Sequence, residues 1–287
     1  MTHDHGTTGW ALFDATVLAL LVLAAAGWAT GLWAARHRGP WPAHRTVLWC
    51  AGLLCAGTAL VGPLAGAARA GFTAHMAGHL LLGMAAPLLL VLAAPVTLAL
   101  RALPVARARA LSRLLRTPPV RAVTRPVVAG TLNAGGLWVL YTTGLYGTMH
   151  ASVAVHAAVH LHVLLAGCIF TAAVVGVDPD PHRGSFRVRA AVLVGFVAVH
   201  SALAKHLYGH PPDGVGASDA RTGAQLMYYG GDVVDVALIV VLFAQWYAAG
   251  RPRVRAARSA AWEALTPRGP RPGGPRAPPR APRGGPG

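Results

Sequence analysis

Paired histidines recur along this chain at a spacing that metal chemistry can use. His75 and His79 are four residues apart, as are His156 and His160, while Asp232 and Asp235 are three apart. On a helix each pair therefore shares one face. His162 is turned about 200° from His160 on such a helix and points elsewhere. Imidazoles and carboxylates projecting from facing helices are how helix bundles build metal sites. His200 is the further single histidine of interest, and His150 and His206 stand near it in kind. Met76, Met149 and Met227 add thioethers that suit Cu(I), although a methionine on an apolar helix is more often a flexible core filler.

These residues sit in a chain of 287 residues that is 54% hydrophobic and only 12% charged. Soluble domains average about 25% charged residues, so half the usual polar coat is missing. Such hydrophobic content excludes intrinsic disorder for the bulk of the chain, and three cysteines exclude a disulfide scaffold. The mean hydropathy of +0.49 points to a polytopic membrane protein. Charge is also lopsided, with 25 Lys+Arg against 9 Asp+Glu. Nucleic-acid binding would need a folded basic face with groove-reading residues, and the sequence offers none.

Seven stretches reach the roughly 20 apolar residues that a helix needs to cross a bilayer core. They are Trp10–Ala35, Thr46–Ala68, Phe72–Leu100, Pro126–Tyr146, His150–Val177, Val188–Tyr208 and Gln225–Ala248. The first has no basic segment before it and reads as an uncleaved helix. Pro63, Pro87 and Pro95 are expected to kink spans two and three. The expected fold is thus all-α and polytopic, with seven transmembrane helices over 10–249 and an extracytoplasmic N-terminus over 1–9. The Arg/Pro/Gly-rich segment 250–287 is expected to be a disordered tail. Of the 25 basic residues, all but Arg69, Lys205 and Arg221 fall in one set of connections and in the tail. The positive-inside rule then places the N-terminus outside and the tail in the cytoplasm.

With that orientation, depth follows at about 1.5 Å per helical residue. His75 and His150 lie at the outer rim, and His79, His156, His200 and Asp232 lie about 10–12 Å down. His160 and Asp235 lie about 15 Å down. Groups from four helices share one layer of the outer leaflet, where ionisable side chains are costly and mark function. A lone histidine there is ordinarily a hydrogen-bonded packing residue. Two histidine pairs with an aspartate pair at matching depth favour a ligand set, made of His75, His79, His156, His160, His200, Asp232 and Asp235. Cys50, Cys55 and Cys168 fall in the opposite half and read as buried apolar thiols. His3-Asp4-His5 is a weak second metal signal. Trp10, Trp41, Tyr146, Tyr208, Trp246 and Tyr247 near span ends suit an interfacial belt.

Three strings carry a resemblance. FTAHMAGHLLLGMAAPLLLVLAAPVTLALRALP (Phe72–Pro104) looks like the signature span of the CtaG-type cytochrome c oxidase assembly factors. LYGTMHASVAVHAAVHLHVLLAGCIF (Leu145–Phe170) is similar to that family's His-rich fifth span, and AQLMYYGGDVVDVAL (Ala224–Leu238) resembles the actinobacterial form of its last span. The resemblance covers roughly residues 10–249. It implies a multi-pass plasma-membrane protein, not an enzyme, that helps produce active haem–copper oxidase through copper delivery or cofactor-site maturation. Oxidase subunits and the lipid bilayer are the implied partners. His75, His79, His156, His160 and Asp232 occupy matching positions. Asp235 stands where relatives carry Glu, and the Arg-Pro tail has no counterpart. Two other readings stay open from the residues themselves. Ser152, His156, His160 and Asp232 could form the zinc site of a seven-helix membrane hydrolase. Spans three and five could instead hold haem b between two histidines for electron transfer. Nothing in the sequence sets the oligomeric state.

Overall fold

An apolar chain removed from water must satisfy its backbone polar groups internally, and helices do so within one segment. The computed structural model describes residues 4–180 and 182–265, with side chains described from residue 8 to 250. Among them every regular element is helical. The chain divides into two compact units, Met1–Gln245 and Trp246–Gly287, and the histidine layer lies wholly in the first.

Five helical stretches are long and apolar enough to cross a membrane: Thr8–Arg38, Phe72–Leu92, Val153–Val175, Phe186–Gly209 and Ala217–Gly250. A sixth arises if α2 (Ala43–Leu60) and α3 (Pro63–Ala70), bent by 42° at Val61-Gly62, form one span. The fourth of the seven expected spans is shorter than anticipated. Helix α9 (Pro126–Thr142) has 17 residues. That is about 25 Å of helix, against a hydrocarbon core of about 30 Å. The chain then breaks at Thr143-Gly144 before a short helix, α10 (Leu145–Ala151).

The third span departs most from a straight rod. It consists of α4 (Phe72–Leu80), one π turn at Leu81–Ala85, α5 (Ala86–Leu92), a left-handed residue at Ala94 and α6 (Pro95–Ala102). The π turn precedes Pro87, which has no N–H to give Gly83 and whose ring would strike that carbonyl in a regular helix. Widening by one residue relieves the clash. Gly83 also faces Gly167 on α11 (Val153–Val175). A Cβ added at Gly167 would lie 2.5 Å from the Gly83 carbonyl oxygen and 2.8 Å from Pro87 Cγ. Only glycine permits that approach, and through it α11 packs against α5. Helix α11 also packs on α9, which in turn carries α12 (Phe186–Gly209), while α1 (Asp4–Ala35) runs along α6 and α2. The basic loop expected at 101–125 contains two short helices, α7 (Val105–Leu115) and α8 (Pro118–Val123).

Helix ends are closed by charged side chains from elsewhere. Helix α6 follows Ala94 (φ 62°), which has no capping side chain, and Pro95 has no N–H. The first two amides, Val96 and Thr97, both donate to the Asp178 carboxylate at 3.2 and 2.7 Å, and Thr97 Oγ1 joins them at 2.6 Å. The carbonyls ending α11 are met by cations and an amide. Val174 accepts from Arg189 Nη1 (2.8 Å), Val175 from Gln245 Nε2 (2.7 Å), and Gly176 from Arg183 Nη2. Each placement suits the sign of the helix end it meets.

The last helix, α13 (Ala217–Leu265), runs past the expected end of its span at Ala248, so residues 250–265, expected to be tail, are helical. Their Ala, Arg, Leu and Glu content favours helix. Residues 266–287 lie outside the described residues. The three cysteines are free, but Cys50 is exposed rather than buried because it sits on the outward side of α2; Cys55 and Cys168 are half-buried.

Two glycines give opposite expectations. Gly167→Leu overpacks the α5–α11 contact and should lower stability by about 1–3 kcal/mol. Gly135→Ala meets no atom within 4 Å. It should leave stability unchanged or raise it by up to about 1 kcal/mol through helix propensity. Thermal unfolding of the detergent-purified variants measures both.

Candidate metal-handling site

Helix α4 carries the first histidine pair, and its position is set from the far end of the chain. Its N-cap is Gly71, which has no side chain to offer. Asp219, on the first turn of α13, supplies the cap across 146 and 147 residues. Its carboxylate accepts from the Phe72 amide (2.6 Å), the Thr73 amide (3.0 Å) and Thr73 Oγ1 (2.6 Å). A carboxylate at a helix N-terminus satisfies orphan donors and complements the dipole together. One turn on, His75 and His79 lie on the buried face of α4, 6% and 7% exposed.

His75 Nε2 is hydrogen-bonded to Tyr141 Oη on α9 at 3.0 Å. Its ring lies 5.3 Å from Tyr146, 5.9 Å from His150 and 6.3 Å from His160, centre to centre. The second pair stands on α11, whose start is capped by Ser152 Oγ accepting from Val155 N. His156 and His160 stack at 4.0 Å. His160 Nδ1 contacts the His156 carbonyl at 2.8 Å, and His150 Nδ1 contacts the Tyr146 carbonyl at 2.9 Å. A carbonyl only accepts, so both Nδ1 atoms carry the hydrogen and both Nε2 atoms keep a free lone pair. That is the backbone arrangement that fixes the tautomer of metal-binding histidines.

On α12, His200 is 2% exposed and its ring centre is 6.0 Å from that of His79, the two planes 22° apart. Gly231 of α13 makes room for it; a Cβ there would lie 2.6 Å from His200 Cε1. Asp235, one turn further along α13, is 2% exposed, whereas Asp232 is half-buried. Five atoms in this region are buried without a hydrogen-bond partner: His79 Nε2, His156 Nδ1, His200 Nε2, and both Asp235 carboxylate oxygens. Leaving such groups bare in a low-dielectric interior costs about 1–3 kcal/mol each, and more for a charge.

The histidines gather in pairs, not as a cage. Among the described residues no group of three or more His, Cys, Asp or Glu is arranged to hold one metal ion. Met76, Met149 and Met227 are fully buried, packed in one apolar cluster with Tyr141, Tyr146, Leu203 and Leu207. They behave as core. His162 is exposed. His3 lies outside the described residues, and the side chains of Asp4 and His5 are not described.

Several contributors were not visible as such in the sequence. Tyr146 and Trp10, expected in an interfacial belt, belong to the site: Tyr146 is 7% exposed against His75 and His150. Trp10 and Phe13 of α1 meet the edge of His156 at 4.9 and 5.3 Å. Arg69 holds that end of α1, bonding Asp14 at 3.1 Å while covering the Trp10 ring at 4.3 Å. Asp219 gave no signal, because Ser-Asp before a helix reads as a cap for its own helix.

The model of the cytochrome c oxidase caa3 assembly factor family matches residues 26–249, which contain every histidine and aspartate of the site. Two mycobacterial relatives, "Uncharacterized protein Mb0105" of Mycobacterium bovis and "Uncharacterized protein MT0111" of Mycobacterium tuberculosis, are each 36% identical over 201 residues, covering 66% of this chain and 30% of the relative. "Uncharacterized protein ML1998" of Mycobacterium leprae is 29% identical over 260 residues, covering 82% of this chain and 39% of its own. The chain therefore spans about a third of the length of the curated relatives it matches. No solved structure matches it.

Asp219→Ala should cost about 1–2 kcal/mol of stability and expose the start of α4. Hydrogen exchange should rise at the Phe72 and Thr73 amides, with Asp219→Asn intermediate because it keeps one acceptor. Unchanged protection in the alanine variant would contradict the capping role.

Proposed function

Because the chain belongs to the cytochrome c oxidase caa3 assembly factor family, we propose that it assists maturation of a haem–copper oxidase by carrying copper. Copper here is cargo and the role is non-catalytic. The ions are held by His75, His79, His156, His160, His200, Asp232 and Asp235. The observation that carries this reading is the set of buried ring nitrogens and carboxylate oxygens without partners, on His79, His156, His200 and Asp235. Imidazole nitrogen is a good copper donor, and sites with two donors at a time release a soft ion more readily than a closed cage.

The remaining residues hold these donors ready. Tyr141 fixes His75 by its hydroxyl, and the Tyr146 and His156 carbonyls fix His150 and His160 in the tautomer with Nε2 free. Trp10 and Phe13 close over His156 and keep its ring from water. Asp235 provides a negative charge to offset a bound cation.

We place the site in the outer half of the plasma membrane, with seven spans, an external N-terminus and a cytoplasmic tail. Support comes from the 22 of 25 basic residues that fall on one set of connections and the tail. An oxidase subunit then receives copper from the outer side.

Two measurements test these statements. His79→Ala and His156→Ala should each leave the protein inserted but drop the copper content of the client oxidase at least tenfold. Normal oxidase copper in both variants would overturn the reading. A cysteine introduced at His210 should react with an impermeant thiol reagent added outside intact cells, whereas one at Arg113 should react only after lysis. The reverse pattern would invert the topology.

A further inference from the structure

We propose that His79 and His200 form a two-coordinate station for a monovalent soft cation, Cu(I), distinct from the His75/His150/His156/His160 group, with Asp235 as its counter-charge. This rests on the copper reading and adds to it a second, separate site of stated coordination.

The geometry comes from three helices. His79 of α4 and His200 of α12 present rings 6.0 Å apart in nearly parallel planes, 22° between them. Both Nε2 atoms are buried and neither has a hydrogen-bond partner, so the two rings do not satisfy each other directly. Two imidazoles on opposite sides of one ion, each nitrogen about 2 Å from it, have their ring centres about 6 Å apart. The 6.0 Å between ring centres matches that figure, and neither Nε2 is spent on a hydrogen bond. Two glycines preserve it. A Cβ at Gly83 would press on His79 at 3.3 Å, and one at Gly231 would meet His200 at 2.6 Å.

Charge and donor number select the occupant. No third His, Cys, Asp or Glu among the described residues completes a metal-holding group, which disfavours tetrahedral Zn(II). Cu(I) is stable with two nitrogens in line. Asp235 stands one turn beyond Gly231, on the same face of α13, with both oxygens buried and unpartnered. The buried Asp235 carboxylate offsets one positive charge in the apolar interior, with half-buried Asp232 three residues before it.

The test uses the full chain in lipid nanodiscs, titrated anaerobically with Cu(I) against a chromophoric chelator and examined by X-ray absorption. His79→Ala and His200→Ala should each abolish the same one equivalent of bound Cu(I), the double variant should lose no more, and His156→Ala should keep it. The lost equivalent should show two nitrogen neighbours and no oxygen or sulfur. Asp235→Asn should weaken it about tenfold, equivalent to about 1.4 kcal/mol. Should alanine at 200 fail to give monodisperse protein, His200→Gln is expected to lose the same equivalent. Unaltered Cu(I) content in the His200 variants, as a water in the gap would give, overturns the station while leaving copper handling standing. Three or four ligands on that ion does the same. A wild-type chain that binds no Cu(I) overturns both.

Discussion

The arrangement depends on helix ends that cannot close themselves. Helix α4 begins after Gly71 and α6 after Ala94, and neither residue has a side chain that can accept from the first amides. Away from water those amides must still be satisfied, and the protein meets the need with Asp219 and Asp178, each gripping two backbone N–H groups and a threonine hydroxyl. The two clasps repeat one solution at opposite ends of the broken third span. Asp219 thereby ties the helix bearing His75 and His79 to the helix bearing Asp232 and Asp235, so the depth of one set fixes the depth of the other.

Close approach does the rest. Gly167 lets α11 lie against the widened turn at Gly83, and Gly223 of α13 faces Phe72 and Met76 at distances a side chain would fill. The π turn that Pro87 imposes begins two residues after His79, so a feature made necessary by backbone sterics also sets how the next turns meet α11. Around these contacts the apolar cluster of Met76, Met149, Met227, Tyr141 and Tyr146 fills the space between helices. Among the buried polar atoms left without partners are His79 Nε2, His156 Nδ1, His200 Nε2 and both Asp235 carboxylate oxygens.

Much of the site is legible from spacing alone. The i, i+4 spacing puts His75 with His79 and His156 with His160 on shared helix faces, and the structure brings the ring of His75 to 6.3 Å from His160 and that of His79 to 6.0 Å from His200. What spacing does not reveal is which imidazole meets which, because that depends on rotation about each helix axis and on glycine notches at 83 and 231. The trans caps are hidden for a similar reason: a carboxylate 146 residues away leaves no local pattern beside Thr73. Interruptions were half legible. Pro63, Pro87 and Pro95 mark breaks, but the left-handed turn at Ala94 falls on a residue whose type gives no hint of it.

Helix α13 closes α4, walls His200 and carries Asp235, yet it is the last of the membrane-length helices among the described residues. A ribosome releases α4 some 140 residues before Asp219, so during synthesis the first histidine pair waits with its leading amides bare. The earlier helices can form in turn, but the start of α4 is capped only when α13 docks. The first histidine pair thus gains its capping carboxylate only after the start of α13 has been made, and a product cut short before Asp219 holds those histidines without that clasp.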